Sequence, residues 1–358
     1  MLNDNFYNIT DGIIDQRVAS LDQLKKSNLP VVLYGAGDYS KAVEAFLNKH
    51  GLKISGKFVD QNFERSDLIL SFDDIERKYE KYNLVIGMAD YQLGYAQILQ
   101  KKSKKINFSC HFVVSPLFLD ALNLNLFNKH IESYEKVYSF LCDQESRDSY
   151  IAFIKTQLSG DDSFIKEQYC SHQYFQNFLR INDQEIFVDV GAFTGDTLIE
   201  FYNFTKGNYL KYYAFEPDNN NFERLSNYVN DNKIPRVELF CSGIGQTKEI
   251  VRFSENSGDK SRVNKDGGVF VQINTIDDLC ADATFIKIDI EGAELEAING
   301  GAKVLKEKTP KLAIAAYHNP LHLFEIPLLV KSISPSYKLY FRQHQKISTD
   351  LVMYAINK

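Results

Sequence analysis

The chain has 358 residues, 44% of them hydrophobic and 25% charged, and a formal net charge of −6. This length suits two domains, the composition excludes a disordered chain, and the acidic balance argues against nucleic acid, which needs a basic face. No apolar run approaches the roughly 20 residues of a membrane span, the opening MLNDNFYNIT lacks the basic-then-apolar layout of a secretion signal, and five scattered cysteines without a Cys-x-x-Cys pair suggest neither zinc nor disulfides, so a reducing cytoplasm is the expected location.

Residues 1–116 read as a small Rossmann-like, nucleotide-binding-like domain. The apolar run Val31 to Tyr34 predicts a buried strand, Gly35 and Gly37 a tight turn, and the spacing from Tyr39 to Asn48 a helix. Further strands are expected in ISGKFVD, which ends at Asp60, in YNLVIGMAD and in INFSCHFVV. Asp73 is expected to cap or open a helix. The run Lys101, Lys102, Ser103, Lys104, Lys105 reads as a solvated helix end, where cations suit the dipole. Strands alternating with helices imply a parallel sheet.

Residues 117–184 are helical in pattern and read as a connector, with its most flexible point at Ser159 to Asp162. Its spaced aromatics (Tyr134, Tyr138, Phe140; Tyr174, Phe175, Phe178) read as packing residues. Residues 185–358 form a second α/β series. Strands are expected over 185–190, 211–215, 237–241, 284–290, 311–317, 337–342 and 351–357, with a hairpin insertion over 249–276. The last two strands, joined by a short loop, should pair antiparallel. The fold class is α/β: a seven-stranded Rossmann-like sheet with its last strand antiparallel, behind the smaller domain and the helical connector.

The second series carries the chemistry. In Asp189-Val-Gly-Ala-Phe-Thr-Gly-Asp-Thr197, Gly191 and Gly195 let the backbone turn sharply and approach a ligand. Ala192, Phe193 and Thr194 complete the loop, and Asp196 and Thr197 fall in the first turn of the next helix. A dinucleotide fingerprint reads G-x-G-x-x-G; the acid before Gly191 would repel a pyrophosphate and suit an ammonium. Asp189 can hold that ammonium or brace the turn. Glu216, before Pro217 in Tyr-Ala-Phe-Glu-Pro, stands where an acid accepts hydrogen bonds from ribose hydroxyls. Ser242 and Gly243 are placed to border a base, or form a plain loop. In Ile286-Lys-Ile-Asp-Ile-Glu-Gly-Ala-Glu294, the acids Asp289, Glu291 and Glu294 meet at one corner, which is costly without cations, a metal or donors. His318 and His344 follow strands. Gly191, Glu216, Gly243, Glu291, His318 and His344 all fall at strand carboxyl ends, which share one ligand-binding edge in an open sheet.

On FVDVGAFTGDT, YAFEPD, INTIDDL, FIKIDIEGAELEAINGGAKVL, LAIAAYH and the ending with His344 and VMYAI, the stretch from Gln184 to Lys358 resembles the FkbM family of methyltransferases. The resemblance implies S-adenosylmethionine as cofactor and methylation of a hydroxyl, often on a sugar, glycan precursor or other small metabolite. The family's cofactor loop falls on Asp189 to Thr197 and its ribose acid on Glu216. The N-terminal unit is similar to small Rossmann-like domains found before some of these enzymes and before sugar acyltransferases.

Methyl transfer to oxygen is an in-line displacement, so alignment and a general base are the expected tasks. His318 is the first choice for that base, with Asp289 or Glu291 orienting it or binding substrate hydroxyls. His344 is a second candidate. Tyr317, Ser261 and Arg262 are expected substrate contacts. No metal site is assigned; Mg²⁺ at the acid corner is the alternative that hard carboxylate donors leave open. Two rival readings remain: an NAD- or nucleotide-sugar-dependent enzyme using Gly35, Gly37 and Asp60, where Ser40 replaces the third fingerprint glycine, and a non-catalytic binding protein. A homodimer is compatible with either.

Overall fold

The structure, a computed structural model, describes residues 6, 8–60, 69–88, 94–112, 122–254, 262–263 and 268–357. It divides into two compact units. One comprises Met1–Ile131, Ile151–Tyr169 and Gln345–Thr349; the other comprises Glu132–Tyr150, Cys170–His344 and Asp350–Lys358. The span 117–184 therefore contributes to both units.

In the first unit, strands β1 (Val31–Tyr34), β2 (Gly56–Phe58), β3 (Ile69–Leu70), β4 (Tyr82–Ile86) and β5 (Ile106–His111) form one sheet in the order β3-β2-β1-β4-β5. Every pairing is parallel. β1 and β4 are buried throughout, as inner strands of a sheet covered on both faces are. β3 has two residues, too short for any periodic signal. Helices α1 (Gln16–Ser27), α2 (Asp38–Lys49), α3 (Phe72–Lys78) and α4 (Tyr95–Lys102) accompany the strands. Ser71 rather than Asp73 caps α3: its hydroxyl accepts from the Asp74 amide, and Asp74 answers the Ser71 amide. Lys101 and Lys102 end α4 in solvent. The turn at Gly160 is tied down, not loose. Gly160 has φ +70 and packs on the Arg17 side chain, while Arg17 donates to the Leu158 carbonyl at 3.1 Å.

In the second unit, seven strands order as β15-β16-β14-β13-β6-β7-β8. They are β6 (Ile186–Val190), β7 (Lys211–Phe215), β8 (Val237–Phe240), β13 (Phe285–Ile288), β14 (Lys311–Ala315), β15 (Lys338–Gln343) and β16 (Leu351–Ile356). β16 inserts antiparallel between β14 and β15. β6 is the middle one of the five parallel strands β14-β13-β6-β7-β8, so the turn that follows it opens well inside the carboxyl edge. A buried aromatic layer of Phe187, Phe201, Tyr212 and Phe285 holds the sheet under α5 (Asp196–Thr205); each such ring buries on the order of 150–250 Å². Helix α6 (Asn219–Asp231) follows β7, α7 (Glu294–Gly300) follows β13 and α8 (His322–Ile333) follows β14.

The expected insertion is a second, four-stranded sheet. β10 (Glu249–Ser254) and β12 (Val269–Asn274) pair antiparallel, flanked by β11 (Arg262–Val263) and β9 (Gly243–Ile244). Alternation sends Phe253, Val271 and Ile273 inward and leaves Ile250 and Phe270 exposed. Among the described residues no helix is long and apolar enough to cross a membrane.

Candidate active site

The turn after β6 exists because two glycines permit it. Gly191 has φ +87, and a Cβ there would stand 2.0 Å from the Asp289 carbonyl oxygen; Gly195, φ +95, caps α5. Between them Phe193 is held at φ +47, a strained value for an aromatic residue. Its amide donates to Glu216 Oε2 at 2.9 Å, and the Asp218 amide donates to Oε1 at 2.9 Å. Glu216, just past β7, is 5% exposed. Burial lifts its pKa from 4.5 to about 7, although the two amides pull the other way.

Beneath the turn lies a buried charge pair that the sequence reading did not assign. Lys287 on β13 is the register neighbour of Asp189 on β6. Its Nζ lies 2.9 Å from Asp189 Oδ1 and donates to the Gly191 carbonyl at 2.7 Å. Tyr212 donates to Asp189 Oδ2 at 2.6 Å. Burial alone would discharge Lys287, but Asp189 and Asp289 overcome it and hold its pKa above the ordinary value. Of the two roles open to Asp189, the geometry supports the brace. Its carboxylate is fully buried and engaged, so its assignment as a direct cofactor contact is corrected.

The acid corner meets two histidines. Glu294 is fully buried; its Oε1 lies 2.8 Å from His318 Nδ1 and its Oε2 3.1 Å from His322 Nδ1. The other ring nitrogen of His318 points at Asp289 Oδ1, 3.5 Å away, and Glu291 Oε1, 3.8 Å away. Burial opposes charge on His318, yet Glu294, Asp289 and Glu291 together raise its pKa to about 10. Glu294 is held well below the usual carboxylate range: burial alone would raise it, and the two histidines outweigh that. His318 therefore carries its proton at neutral pH and is 2% exposed. The expectation of a general base there is corrected to a buried cation that holds pocket acids in place.

His344 is corrected as well. Nδ1 donates to the Cys170 carbonyl at 2.8 Å, and Nε2 accepts from the Tyr354 hydroxyl at 2.7 Å. Burial lowers its pKa to about 4, so the ring is neutral and both nitrogens are used. The Tyr354 oxygen accepts in turn from the Tyr174 amide at 3.0 Å, and the Tyr174 hydroxyl donates to Asp289 Oδ2 at 2.7 Å. His344 thus anchors the segment that carries Tyr174 and does not face the pocket.

These parts surround a pocket of about 550 Å³. Of the expected residues, Gly191, Phe193, Asp196, Thr197, Glu216, Pro217, Gly243, Asp289, Glu291 and Tyr317 line it. Asp189, Ala192, Thr194, Gly195, Ser242, His318 and His344 do not; Ser242 is buried, its hydroxyl accepting from Asn274. Tyr174, Asn221, Phe253, Ile273, Lys287 and Asp350 line it unforeseen. Tyr174, a packing residue by its spacing, both packs in the core and lines the pocket. Only Lys287, a charge inside an apolar strand, carried a signal that could have marked it. Arg262 lies on β11, and Ser261 lies outside the described residues.

In the first unit, Gly35 has φ +123, and a Cβ would stand 2.5 Å from the Gly87 carbonyl oxygen, so strand packing alone explains it. A Cβ on Gly37 would meet nothing within 4 Å. Ser40, at the third fingerprint position, closes the turn by donating to the Gly35 carbonyl at 2.8 Å. Asp60 accepts from the Tyr34 hydroxyl at 2.6 Å.

A seven-stranded sheet with this order, a glycine turn after the middle one of its parallel strands and an acid after the next define a Rossmann-like methyltransferase fold. Residues 189–333 match the sequence model of the family described as the methyltransferase FkbM domain. Over those residues the chain carries a methyltransferase domain similar to that family. A solved structure of a methyltransferase FkbM from Methylobacillus flagellatus KT is similar in fold over 99% of both chains, at 23% identity and a TM-score of 0.75. An rRNA methylase from Streptococcus thermophilus matches 51% of this chain and 93% of its own, at 19% identity and a TM-score of 0.32. Fibrillarin from Aeropyrum pernix, solved with bound S-adenosyl-L-methionine, matches 49% of this chain and 69% of its own, at 9% identity and a TM-score of 0.30. No curated protein matches the chain.

Proposed function

We propose that the protein moves a methyl group from S-adenosylmethionine to a hydroxyl of a small acceptor, a sugar, glycan precursor or related metabolite. The observation that carries this reading is the charge of the pocket wall. Among the described residues, Asp196, Glu216, Asp289, Glu291 and Asp350 line it, against one cation, Lys287, which is paired with Asp189. Such a wall attracts a positively charged ligand and repels an anionic dinucleotide. The volume lies within the usual range for small-ligand sites, about 300–1,000 Å³.

When bound, S-adenosylmethionine supplies an activated methyl group on a positively charged sulfur. Glu216 keeps acceptor capacity beyond its two backbone donors and the Asn221 side chain, and that capacity suits a ribose hydroxyl. The turn from Gly191 to Asp196 lets the backbone approach the ligand. Gly243 and Ile244 add an apolar stretch of wall. Asp289 and Glu291 face the remaining space and accept the acceptor's hydroxyl hydrogens. They are also the pocket groups able to take its proton, an effect worth roughly 10²–10⁴-fold. Fixing the acceptor against them contributes on the order of 7–11 kcal/mol through orientation.

Calorimetry of the full chain tests the reading. S-adenosylhomocysteine should bind, NAD should not, and Glu216→Ala should weaken the binding at least tenfold. A chain that binds NAD and ignores the nucleoside removes this proposal.

A further inference from the structure

We propose that Asp289, Glu291 and His318 form a divalent-metal site on the pocket floor, with Glu294 and Tyr174 holding the ligands from behind. His318 Nε2 is a buried ring atom without a hydrogen-bond partner among the described residues, and a bound ion would take the place of the proton that the surrounding acids hold on the ring in the metal-free chain. It points between Asp289 Oδ1 at 3.5 Å and Glu291 Oε1 at 3.8 Å. Atoms bound at about 2.0–2.2 Å to one small cation lie roughly 3–4 Å apart, so these spacings need little adjustment to share an ion. Ligand atoms of Asp289, Glu294 and His318 also lie within 4.8 Å of one another.

The outer partners strengthen the case. A metal-bound histidine normally donates its second N–H to a carboxylate, and ligating carboxylates are themselves hydrogen-bonded. Here His318 Nδ1 sits 2.8 Å from Glu294 Oε1, and the Tyr174 hydroxyl takes Asp289 Oδ2 at 2.7 Å, leaving Oδ1 toward His318. Glu294 is steadied by His322 at 3.1 Å. Asp289 and Glu291 are each about one-fifth exposed to the pocket while His318 is sealed, so a bound ion would present open positions toward the pocket. The mixed nitrogen and oxygen set favours Mn²⁺, Fe²⁺, Co²⁺ or Zn²⁺ over Mg²⁺, which prefers oxygen alone. The acids were visible in the sequence, but the imidazole that changes the metal class arrives from the far end of β14.

The site stands on side-chain geometry. Only its role, lowering the pKa of an acceptor hydroxyl as a Lewis acid, rests on the proposed function. The test uses full-length protein freed of metal by chelation and titrated with Mn²⁺ alone, read by electron paramagnetic resonance. One Mn²⁺ per chain should bind, with the echo modulation of one directly coordinated ¹⁴N. His318→Asn should lose both signals. Tyr174→Phe, which keeps every ligand, should weaken binding by roughly 10–100-fold. Absence of binding, binding without nitrogen coupling, or binding undiminished in His318→Asn overturns the site. The ¹⁴N signal of the wild-type chain decides the matter even if that variant fails to fold. Since the probe is the metal alone, failure here leaves nucleoside affinity, measured separately, as an independent result.

Discussion

Glu216 offers a test in which one carboxyl pulls stability and binding in opposite directions. Burial raises its pKa from 4.5 to about 7, and at 1.36 kcal/mol per tenfold that rise corresponds to about 3 kcal/mol. A folded pKa above the unfolded one means that the protonated form favours the fold. The contribution is fully present below pH 4.5 and is lost as pH rises through about 7. The ligand-free protein should therefore lose up to about 3 kcal/mol from this group over that interval. Ribose hydroxyls, by contrast, need the ionised carboxylate as acceptor, so affinity for S-adenosylhomocysteine should fall as pH drops below about 7, by as much as tenfold per pH unit. Urea denaturation and calorimetry between pH 5 and 8, each taken as wild type minus Glu216→Gln, isolate the group from its background. Two differences of opposite sign support the reasoning. A flat difference in both would refute the burial argument, and a flat binding difference alone would refute the ribose contact.

Gly191→Ala places a Cβ 2.0 Å from the Asp289 carbonyl at φ +87 and should cost several kcal/mol in a denaturant titration, whereas Gly37→Ala, with nothing within 4 Å, should be nearly neutral. Asp189→Asn strands the buried Lys287 ammonium and should destabilise by about 3–5 kcal/mol; a neutral result would show that the pair is not buried as described. His344→Ala removes two hydrogen bonds that anchor the Tyr174 segment and should cost about 1–3 kcal/mol. In wild type the pH–rate profile between 6 and 8 should show no step from His344, since its pKa is about 4. A variant of unchanged stability without turnover would return His344 to a catalytic role.

Much of the second unit was legible because its signals are local. Lys211–Phe215 and the helix start at Asn219 appear as read, and the antiparallel last strand follows from a loop too short for a crossover. Gly191, Glu216 and Gly243 reach the pocket because a parallel sheet puts all its strand ends on one edge. That same rule overreached for the histidines. Lying after a strand places a residue near the edge but does not say whether the side chain turns toward the pocket or into the packing behind it. His318 turns inward to Glu294, and His344 to Cys170 and Tyr354.

Chain order and spacing alone determined the α/β class, the glycine turn, the ribose-acid candidate and the acid corner, since each depends on residues within a few positions of one another. The partners of the charges were decided by tertiary structure. Lys287 finds Asp189 across 98 positions, and Tyr174 finds Asp289 across 115. A buried charge takes whichever opposite charge or donor the packing brings within a few ångströms. Strand register sets that distance, and no local pattern encodes it.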